Sequence, residues 1–166
     1  MTSRSALFGA LMLAAGVVFA FAIPTFPSRA ATALSEDGIV KVKSAYGFDE
    51  TISRIKADIA KKGITFFLAV DQSQLGANAG IKLRPSTLLI FGNPPLGIQF
   101  LTSNPDSGLD WPVRLLVRQD GAGVVWAVYT DFGWIAKRHG ITDRQGQFKM
   151  ASDVIASITS SIALQR

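Results

Sequence analysis

The sequence predicts an α+β domain: a mostly antiparallel sheet of about five strands with helices packed largely on one face, preceded by an N-terminal apolar targeting helix. Three observations predict this fold. Valine and lysine alternate in residues 40–43, as in a half-buried strand. Isoleucines recur on one helical face in residues 52–59. Two alternating segments, 113–118 and 124–130, flank an Asp-Gly-Ala-Gly turn, which indicates a β-hairpin.

An apolar segment at the N-terminus predicts export. Residues 6–23 contain no charged or strongly polar side chain, and small residues after them suit signal-peptide cleavage following Ala30 or Ala33. We favour cleavage because the stretch is rich in Ala and Gly. The alternative is an uncleaved anchor, since 18 helical residues at ~1.5 Å each approach the thickness of the hydrocarbon core. The chain therefore divides into a signal peptide or anchor, residues 1–33, and one domain, residues 34–166.

Composition excludes several kinds of site. The chain has no cysteine, which excludes disulfides, thiolate metal ligands and a cysteine nucleophile. A single histidine, His139, excludes a His-rich metal site. The net charge is +5, but the basic residues are scattered rather than interleaved with aromatics, so we predict no nucleic-acid binding. With no cysteine and one histidine we also predict no metal site, and because no phosphate-binding or dinucleotide glycine motif is present we predict no cofactor.

The first half of the domain reads as strand, helix, strand, linker and strand. Residues 38–46 are predicted to form a strand with one solvent-exposed face. Asp49 occupies the position expected for the N-cap of the following helix. Residues 64–70 are a nearly continuous apolar run, which is typical of a strand covered on both faces, so we expect a central strand. The polar stretch 72–80, with room for one helical turn, leads into the apolar strand 87–91.

The second half adds a short helix, the hairpin and two further helices. Pro95 suits the first turn of a short helix, and residues 104–108 read as a loop. Asp131 can cap a helix after the hairpin, with His139 in its last turn, where an imidazole favours the helix C-terminus. An i,i+4 apolar stripe over residues 150–162 predicts the last helix. The tryptophans are interpreted as core or interface anchors; they are Trp111, Trp126 and Trp134.

One block of sequence carries a family resemblance. Residues 80–94 read Gly-Ile-Lys-Leu-Arg-Pro-Ser-Thr-Leu-Leu-Ile-Phe-Gly-Asn-Pro. Together with the helix and strand opening at 51–63, the Leu-Asp-Trp-Pro sequence at 109–112 and the Gln-Asp pair at 119–120, this block resembles the bacterial domain-of-unknown-function family DUF302. The resemblance extends over about residues 40–141, and its Phe-Gly-Asn-Pro part is the most specific.

The resemblance implies a small α+β domain that pairs as a homodimer and has no agreed biochemical activity. This chain departs from the family pattern at one position. Many members carry a histidine directly after the acid at Asp71, whereas this sequence has Gln72. A general-base or metal-binding role for that histidine therefore cannot be carried over.

A first candidate site lies where the apolar strand 64–71 ends and the apolar strand 87–92 begins. If these strands pair antiparallel, Asp71 and Gln72 approach Lys82 and Arg84 across the linker. An acid, an amide and two bases would then be able to orient a polar or anionic ligand. The alternative is a structural Asp–Arg ion pair that fixes the linker.

A second candidate site is formed by Gly92, Asn93 and Pro94, at the other end of the same strand, ~26 Å away. Glycine allows close approach of a ligand to the backbone, Asn93 offers a donor and an acceptor, and the N–H groups that open the next helix could hold an anion. The alternative is a rigid turn made of Gly, Asn and Pro for conformational reasons. Neither site identifies catalytic residues.

The hypothesis we favour is an exported, periplasmic, non-enzymatic domain that binds a small polar or anionic ligand or acts as an accessory. It rests on the targeting segment and on the lack of an assembled acid/base or nucleophile set. The alternatives are an enzyme with Asp71 as base and Arg84 or Lys82 as electrostatic partner, and a structural protein-interaction module. We expect a two-fold homodimer, and membrane contact only through the N-terminal segment if it stays uncleaved.

Overall fold

A six-stranded antiparallel sheet is the frame of the computed structural model, which describes residues 33–34 and 36–163. In chain order the strands are β1 (Ala33–Leu34), β2 (Ile39–Lys43), β3 (Thr65–Asp71), β4 (Ser86–Gly92), β5 (Val113–Gln119) and β6 (Val125–Thr130). Their order across the sheet is β1-β2-β6-β5-β4-β3. The predicted hairpin is confirmed as β5 and β6, with Leu116 opposite Val128.

Helices connect the strands and cover the sheet. They are α1 (Phe48–Lys61), α2 (Gln72–Asn78), α3 (Pro94–Ser103), α4 (Phe132–Arg138) and α5 (Gln145–Ser160), with a 3-10 turn at Pro105–Leu109. Helix α1 contacts β3, β5 and α5, and α5 also contacts α3 and α4. The predicted α+β class is confirmed, with the two-residue β1 as an additional edge strand.

The hydrophobic core lies between the sheet and these helices. Strand residues on the inner face are fully buried, as are the isoleucines of the apolar faces of α1 and α5; they include Leu89, Leu115, Val117, Ile55 and Ile158. Along β4 and β6 every second side chain is buried and the intervening ones are half-buried, as a sheet with one covered face requires. The alternation seen in the sequence therefore marks the face that packs on the helices.

The prediction that residues 64–70 form a central strand is wrong. The strand β3 lies at the edge of the sheet and pairs only with β4 among the described strands. Phe67 and Leu68 remain 42% and 46% exposed. The apolar composition correctly indicated a strand, but composition cannot say how many neighbouring strands a segment has.

Side-chain caps begin several helices at the residues that the sequence indicates. The Asp131 carboxylate accepts the Trp134 backbone N–H at 2.8 Å, as predicted. The start of α1 differs, because its N-cap is Gly47 without a side-chain hydrogen bond, and Asp49 lies in the first turn. The predicted turn in residues 72–80 is the helix α2, and the predicted loop in residues 104–108 forms the 3-10 turn.

The predicted targeting segment, residues 1–33, lies outside the described residues except for Ala33. Strand β1 begins at that residue and pairs with β2, Ala33 opposite Lys41. In the part of the chain that the structure describes, no helix combines the length and the apolar character needed to cross a membrane.

Candidate functional site

A cavity of about 450 Å³ lies where β4 ends and α3 begins. Its wall is mostly apolar and draws on the sheet, α3 and α5; the apolar lining includes Phe91, Leu96, Phe100, Trp111, Met150 and Ile155. Gly92 and Asn93 also line the cavity, at the end of the strand. Small-molecule sites commonly have volumes of ~300–1,000 Å³ and such apolar linings, so the cavity is large enough for one.

The sequence Gly92-Asn93-Pro94 determines how β4 turns into α3. Asn93 is the N-cap: its backbone oxygen accepts the Gly97 N–H at 2.8 Å, and its side-chain oxygen receives the Leu96 N–H at 3.4 Å. Proline at the first two helical positions, Pro94 and Pro95, has no N–H. The first turn of α3 therefore offers no free backbone donor, and the anion-binding role expected there is unavailable.

Trp111 forms the part of the cavity wall nearest these residues. A Cβ built on Gly97 would lie 1.7 Å from the indole Nε1, and one built on Gly92 would lie 3.2 Å from it. Phe67 meets the same ring edge to face, with centroids 6.4 Å apart. A side chain at position 97 would overlap the indole, so it could be accommodated only if Trp111 or α3 shifted.

The charged side chains of the cavity wall are already paired. Lys62 bonds Asp58 on α1, and Asp153 accepts the Lys149 ammonium at 2.6 Å on α5. Both pairs have the i,i+4 spacing of neighbours on one helix face. The cavity thus presents neither an unpaired cation nor an unpaired anion.

The first candidate site lies at the opposite end of β4. The strand register pairs Asp71 with Thr87 and Thr65 with Gly92, so the two candidate sites occupy opposite ends of the β3–β4 pair, as expected. At the Asp71 end, the Gln72 side-chain oxygen accepts the Ser86 hydroxyl at 2.7 Å.

Asp71 acts as the N-cap of α2. Its carboxylate accepts the Gln74 backbone N–H at 2.9 Å. This bond, followed by a hydrogen bond from Ser73, holds the pKa of Asp71 below its ordinary value. Because a base with a depressed pKa accepts a proton poorly at neutral pH, this carboxylate is a weak candidate for a general base.

The two bases of the first site are not bonded to Asp71. Among the described residues, the ion pairs do not include one that joins Asp71 to Lys82 or Arg84. The guanidinium of Arg84 lies beside the hairpin turn instead, 3.5 Å from a Cβ built on Gly121. The structure therefore brings Gln72 to Ser86 but does not assemble the predicted acid–base cluster.

Comparison with known proteins identifies the family. The sequence profile of the family described as "Domain of unknown function DUF302" matches residues 40–163. The chain belongs to the DUF302 family. A crystal structure of the uncharacterized conserved protein DUF302 from Bacillus stearothermophilus superimposes with a TM-score of 0.69, over 75% of this chain and 98% of that one. At 17% identity, this similarity establishes the fold alone.

Curated relatives of this DUF302 chain include longer proteins. "Fluoride-specific ion channel FluC 1" of Brucella suis biovar 1 (strain 1330) is 38% identical over 106 residues, 64% of this chain and 42% of that protein. "Fluoride-specific ion channel FluC 2" of Brucella melitensis biotype 1 (strain ATCC 23456 / CCUG 17765 / NCTC 10094 / 16M) is also 38% identical, over 39% of its length. The chain therefore spans about two fifths of the length of the curated relatives it matches.

A buried polar cluster of the DUF302 domain was missed by the sequence interpretation. The Asp110 carboxylate lies 2.7 Å from His139 Nε2, 2.8 Å from Arg114 and 3.1 Å from Arg138. His139 is the C-cap residue of α4, but its ring is buried against Asp110. The cluster joins the segment before β5 to the end of α4. A buried carboxylate needs charged or hydrogen-bonding partners, and Arg114, Arg138 and His139 provide them for Asp110.

This cluster is not a hydrolase triad. The hydroxyl of Ser107, in the 3-10 turn that precedes Asp110, is buried and makes no hydrogen bond, so none joins it to His139. A Ser-His-Asp relay needs that bond to activate the nucleophile. Among the described residues, no group of three or more His, Asp or Glu side chains is arranged to hold a metal ion.

The sequence interpretation selected Gly92 and Asn93 but not the residues that enclose the cavity beside them. Trp111 was interpreted as a core or interface anchor, and its neighbour Gly97 was not singled out. The Leu-Asp-Trp-Pro motif was a usable signal, because tryptophan is enriched at interfaces where one end of the ring is polar. Met150 and Ile155 could not have been found, because only the packing of α5 on α3 brings them to this position.

Proposed function

We propose that this DUF302 chain is an exported, non-enzymatic domain that binds a small ligand in the cavity at the β4–α3 junction. The observation that carries the proposal is the cavity itself, which is enclosed by Gly92 and Asn93 of the most specific family block and by Trp111 of the Leu-Asp-Trp-Pro motif. An apolar pocket with a few polar groups is the usual form of a binding site.

The absence of assembled catalytic chemistry favours binding over catalysis. Asp71, the base of the alternative enzyme hypothesis, is exposed and engaged as a helix cap, and neither Lys82 nor Arg84 is bonded to it. The cavity wall has no histidine, and its charged residues Lys62 and Asp153 are paired on their own helices. These features support a pocket that holds a ligand without transforming it.

Ligand-induced chemical shift changes test the binding proposal. Amide resonances of Gly92, Gly97 and Trp111 should move when a panel of small apolar and amphipathic molecules is titrated into the domain. The variant Val154→Phe should abolish these shifts because it adds an aromatic ring to the cavity wall. The matched variant Ala156→Phe, exposed on the same helix and outside the wall, should leave them intact. A panel without any response at these amides contradicts the proposal.

Export is the second part of the proposal and rests on residues 6–23. A mature N-terminus at Ala31 is the outcome that keeps β1 whole, since that strand begins at Ala33. Cell fractionation with mass spectrometry of the purified chain tests this. A full-length cytosolic product without membrane association would contradict it.

Self-association completes the proposal. An edge strand with exposed apolar side chains and unpaired backbone groups is a surface that another strand can cover. Five of the exposed large apolar residues lie between β3 and the start of β4; they are Phe67, Leu68, Leu75, Ile81 and Leu83. A second copy that pairs β3 with β3 about a two-fold axis would cover the same residues on both subunits.

An accessory role in membrane transport is a second candidate, and the Brucella proteins named as fluoride-specific ion channels favour it. Each contains a stretch 38% identical to 106 residues of this chain. Fluoride efflux from cells that contain or lack the chain tests this role, with chloride efflux as control. Equal fluoride efflux in both strains would contradict it.

A further inference from the structure

Trp111 presents a hydrogen-bond donor that the described residues leave unused. Its indole lies between Gly92 and Gly97 and contacts Phe67, and no hydrogen bond among the described residues uses its Nε1–H. The indole of Trp126, by contrast, donates to the Asp120 carboxylate at 2.8 Å. A tryptophan N–H that becomes buried usually has a hydrogen-bond partner, so a ligand that covers this indole is expected to supply an acceptor.

Asn93 adds a second donor at the same end of the cavity. Its backbone and side-chain oxygens are occupied by N–H groups of α3, and its side-chain nitrogen makes no hydrogen bond among the described residues. The strand end therefore offers N–H donors from two side chains, Asn93 and Trp111, and the Asn93 side-chain oxygen already accepts the Leu96 N–H. A ligand that complements this surface carries an acceptor.

The remainder of the wall opposes a charged ligand. Lys62 and Asp153 are paired with Asp58 and Lys149, so an ionised group would enter an apolar cavity without a free counter-charge. Burial of an unpaired charge is far more costly than burial of a neutral polar group that is hydrogen-bonded. A neutral carbonyl, such as that of a ketone or ester, supplies an acceptor for the N–H donors and brings no charge into the cavity.

We infer that the cavity takes a neutral molecule with an apolar body and one hydrogen-bond acceptor, whose acceptor receives the Trp111 Nε1–H. This inference rests on the proposed binding function and narrows its ligand class. The sequence predicts a polar or anionic ligand at two places, the Asp71 end of β4 and the N-terminus of α3. At the N-terminus of α3, Pro94 and Pro95 have no N–H groups to bind an anion.

Three naphthalene probes of similar size test the ligand class: 2-acetylnaphthalene with a neutral acceptor, 2-ethylnaphthalene without one, and 2-naphthoate with a charge. The ketone should bind roughly two- to tenfold more tightly than the hydrocarbon, which is the range expected for one net hydrogen bond. Naphthoate should bind most weakly. The Trp111 indole N–H resonance should shift with the ketone and much less with the hydrocarbon.

Trp111→Phe keeps an aromatic wall but removes the donor. The variant should bind the ketone and the hydrocarbon with equal affinity, and Trp126→Phe, remote from the cavity, should keep the preference for the ketone. If Trp111→Phe does not fold, the indole N–H resonance of Trp111 in the wild-type protein still tests the inference, because it should shift more with the ketone than with the hydrocarbon. Equal affinities in the wild type, or tightest binding of naphthoate, overturn this inference but leave cavity binding intact. Failure of all three probes to bind contradicts both proposals.

Discussion

The neighbouring strands β3 and β4 have similar sequences but different environments. Each is seven residues long and largely apolar, and they pair antiparallel along their lengths. Strand β4 has neighbours on both sides, and its Leu89 is fully buried. Strand β3 has β4 on one side only, and its Leu68 is 46% exposed. An apolar run thus indicates a strand, but it does not indicate whether that strand lies in the centre or at the edge of the sheet.

The exposed side of β3 leaves a row of backbone N–H and C=O groups without a strand partner in the described chain. Sheet proteins usually protect such an edge with charged residues, proline or a bulge. β3 has a register irregularity between Phe66 and Leu68, but from Thr65 to Val70 it carries no charge and no proline. Apart from this irregularity and from Asp71 at its end, the edge lacks the usual protection.

Truncation of a buried leucine in β4 should have the largest effect on stability. Leu89→Ala should lower the free energy of unfolding by ~2–5 kcal/mol, because it leaves a cavity under the helices. Leu68→Ala on β3 should change it by less than ~0.5 kcal/mol in the monomer. Urea unfolding at low protein concentration compares the two variants. Equal destabilisation would show that Leu68 is already covered within one chain.

Two helical glycines should respond differently to an added methyl group. Gly97→Ala, in the helix after β4, should cost ~1–3 kcal/mol and shift the Trp111 fluorescence, since the new Cβ would overlap the indole at 1.7 Å. Gly146→Ala in α5 has no atom within 4 Å of its new Cβ and should be neutral or stabilising. Thermal unfolding of both variants checks this pair. A neutral Gly97→Ala would mean that Trp111 can move away freely.

A charge placed on the edge strand should break the dimer without unfolding the domain. Leu68→Lys adds like charges across a two-fold β3–β3 interface, so dissociation should become at least ~10-fold easier. Ile98→Lys on α3 is the control, because Ile98 is also 46% exposed. Light scattering over a hundredfold concentration range gives the masses. A wild-type mass of one chain throughout would remove the dimer proposal.

Much of this fold could be predicted because its signals are local. The hairpin, the Asp131 cap and the proline start of α3 depend on residues that are close in sequence. The edge position of β3 depends on strand order, which alternation does not encode. The cavity joins Trp111 to Gly97 and α5, and the Asp110–His139 pair joins two elements 29 residues apart. Such sites require tertiary packing before they can be recognised.

The smallest expected effect concerns the end of β3, where Asp71 caps α2. Because the Gln74 N–H and Ser73 lower the pKa of Asp71 in the folded state, the charged carboxylate stabilises the fold above the ordinary pKa of ~3.9. This contribution is lost as the pH falls from there through the lowered folded-state value. Carbon-detected titration of the carboxyl group should therefore place the folded-state pKa below ~3.9.

Asp71→Asn should keep the cap, since asparagine is an equivalent N-cap residue, but should remove the corresponding part of the acid dependence of stability. Asp120 is a second carboxylate whose pKa should be measured in the same titration. Its pKa is also lowered, by hydrogen bonds from the Trp126 indole N–H and the Val124 backbone N–H in the hairpin turn. The same acid dependence in Asp71→Asn as in the wild type would contradict the prediction. A measured pKa above the ordinary value would instead favour the alternative in which Asp71 serves as a general base, because a carboxylate with a raised pKa accepts a proton more readily near neutral pH.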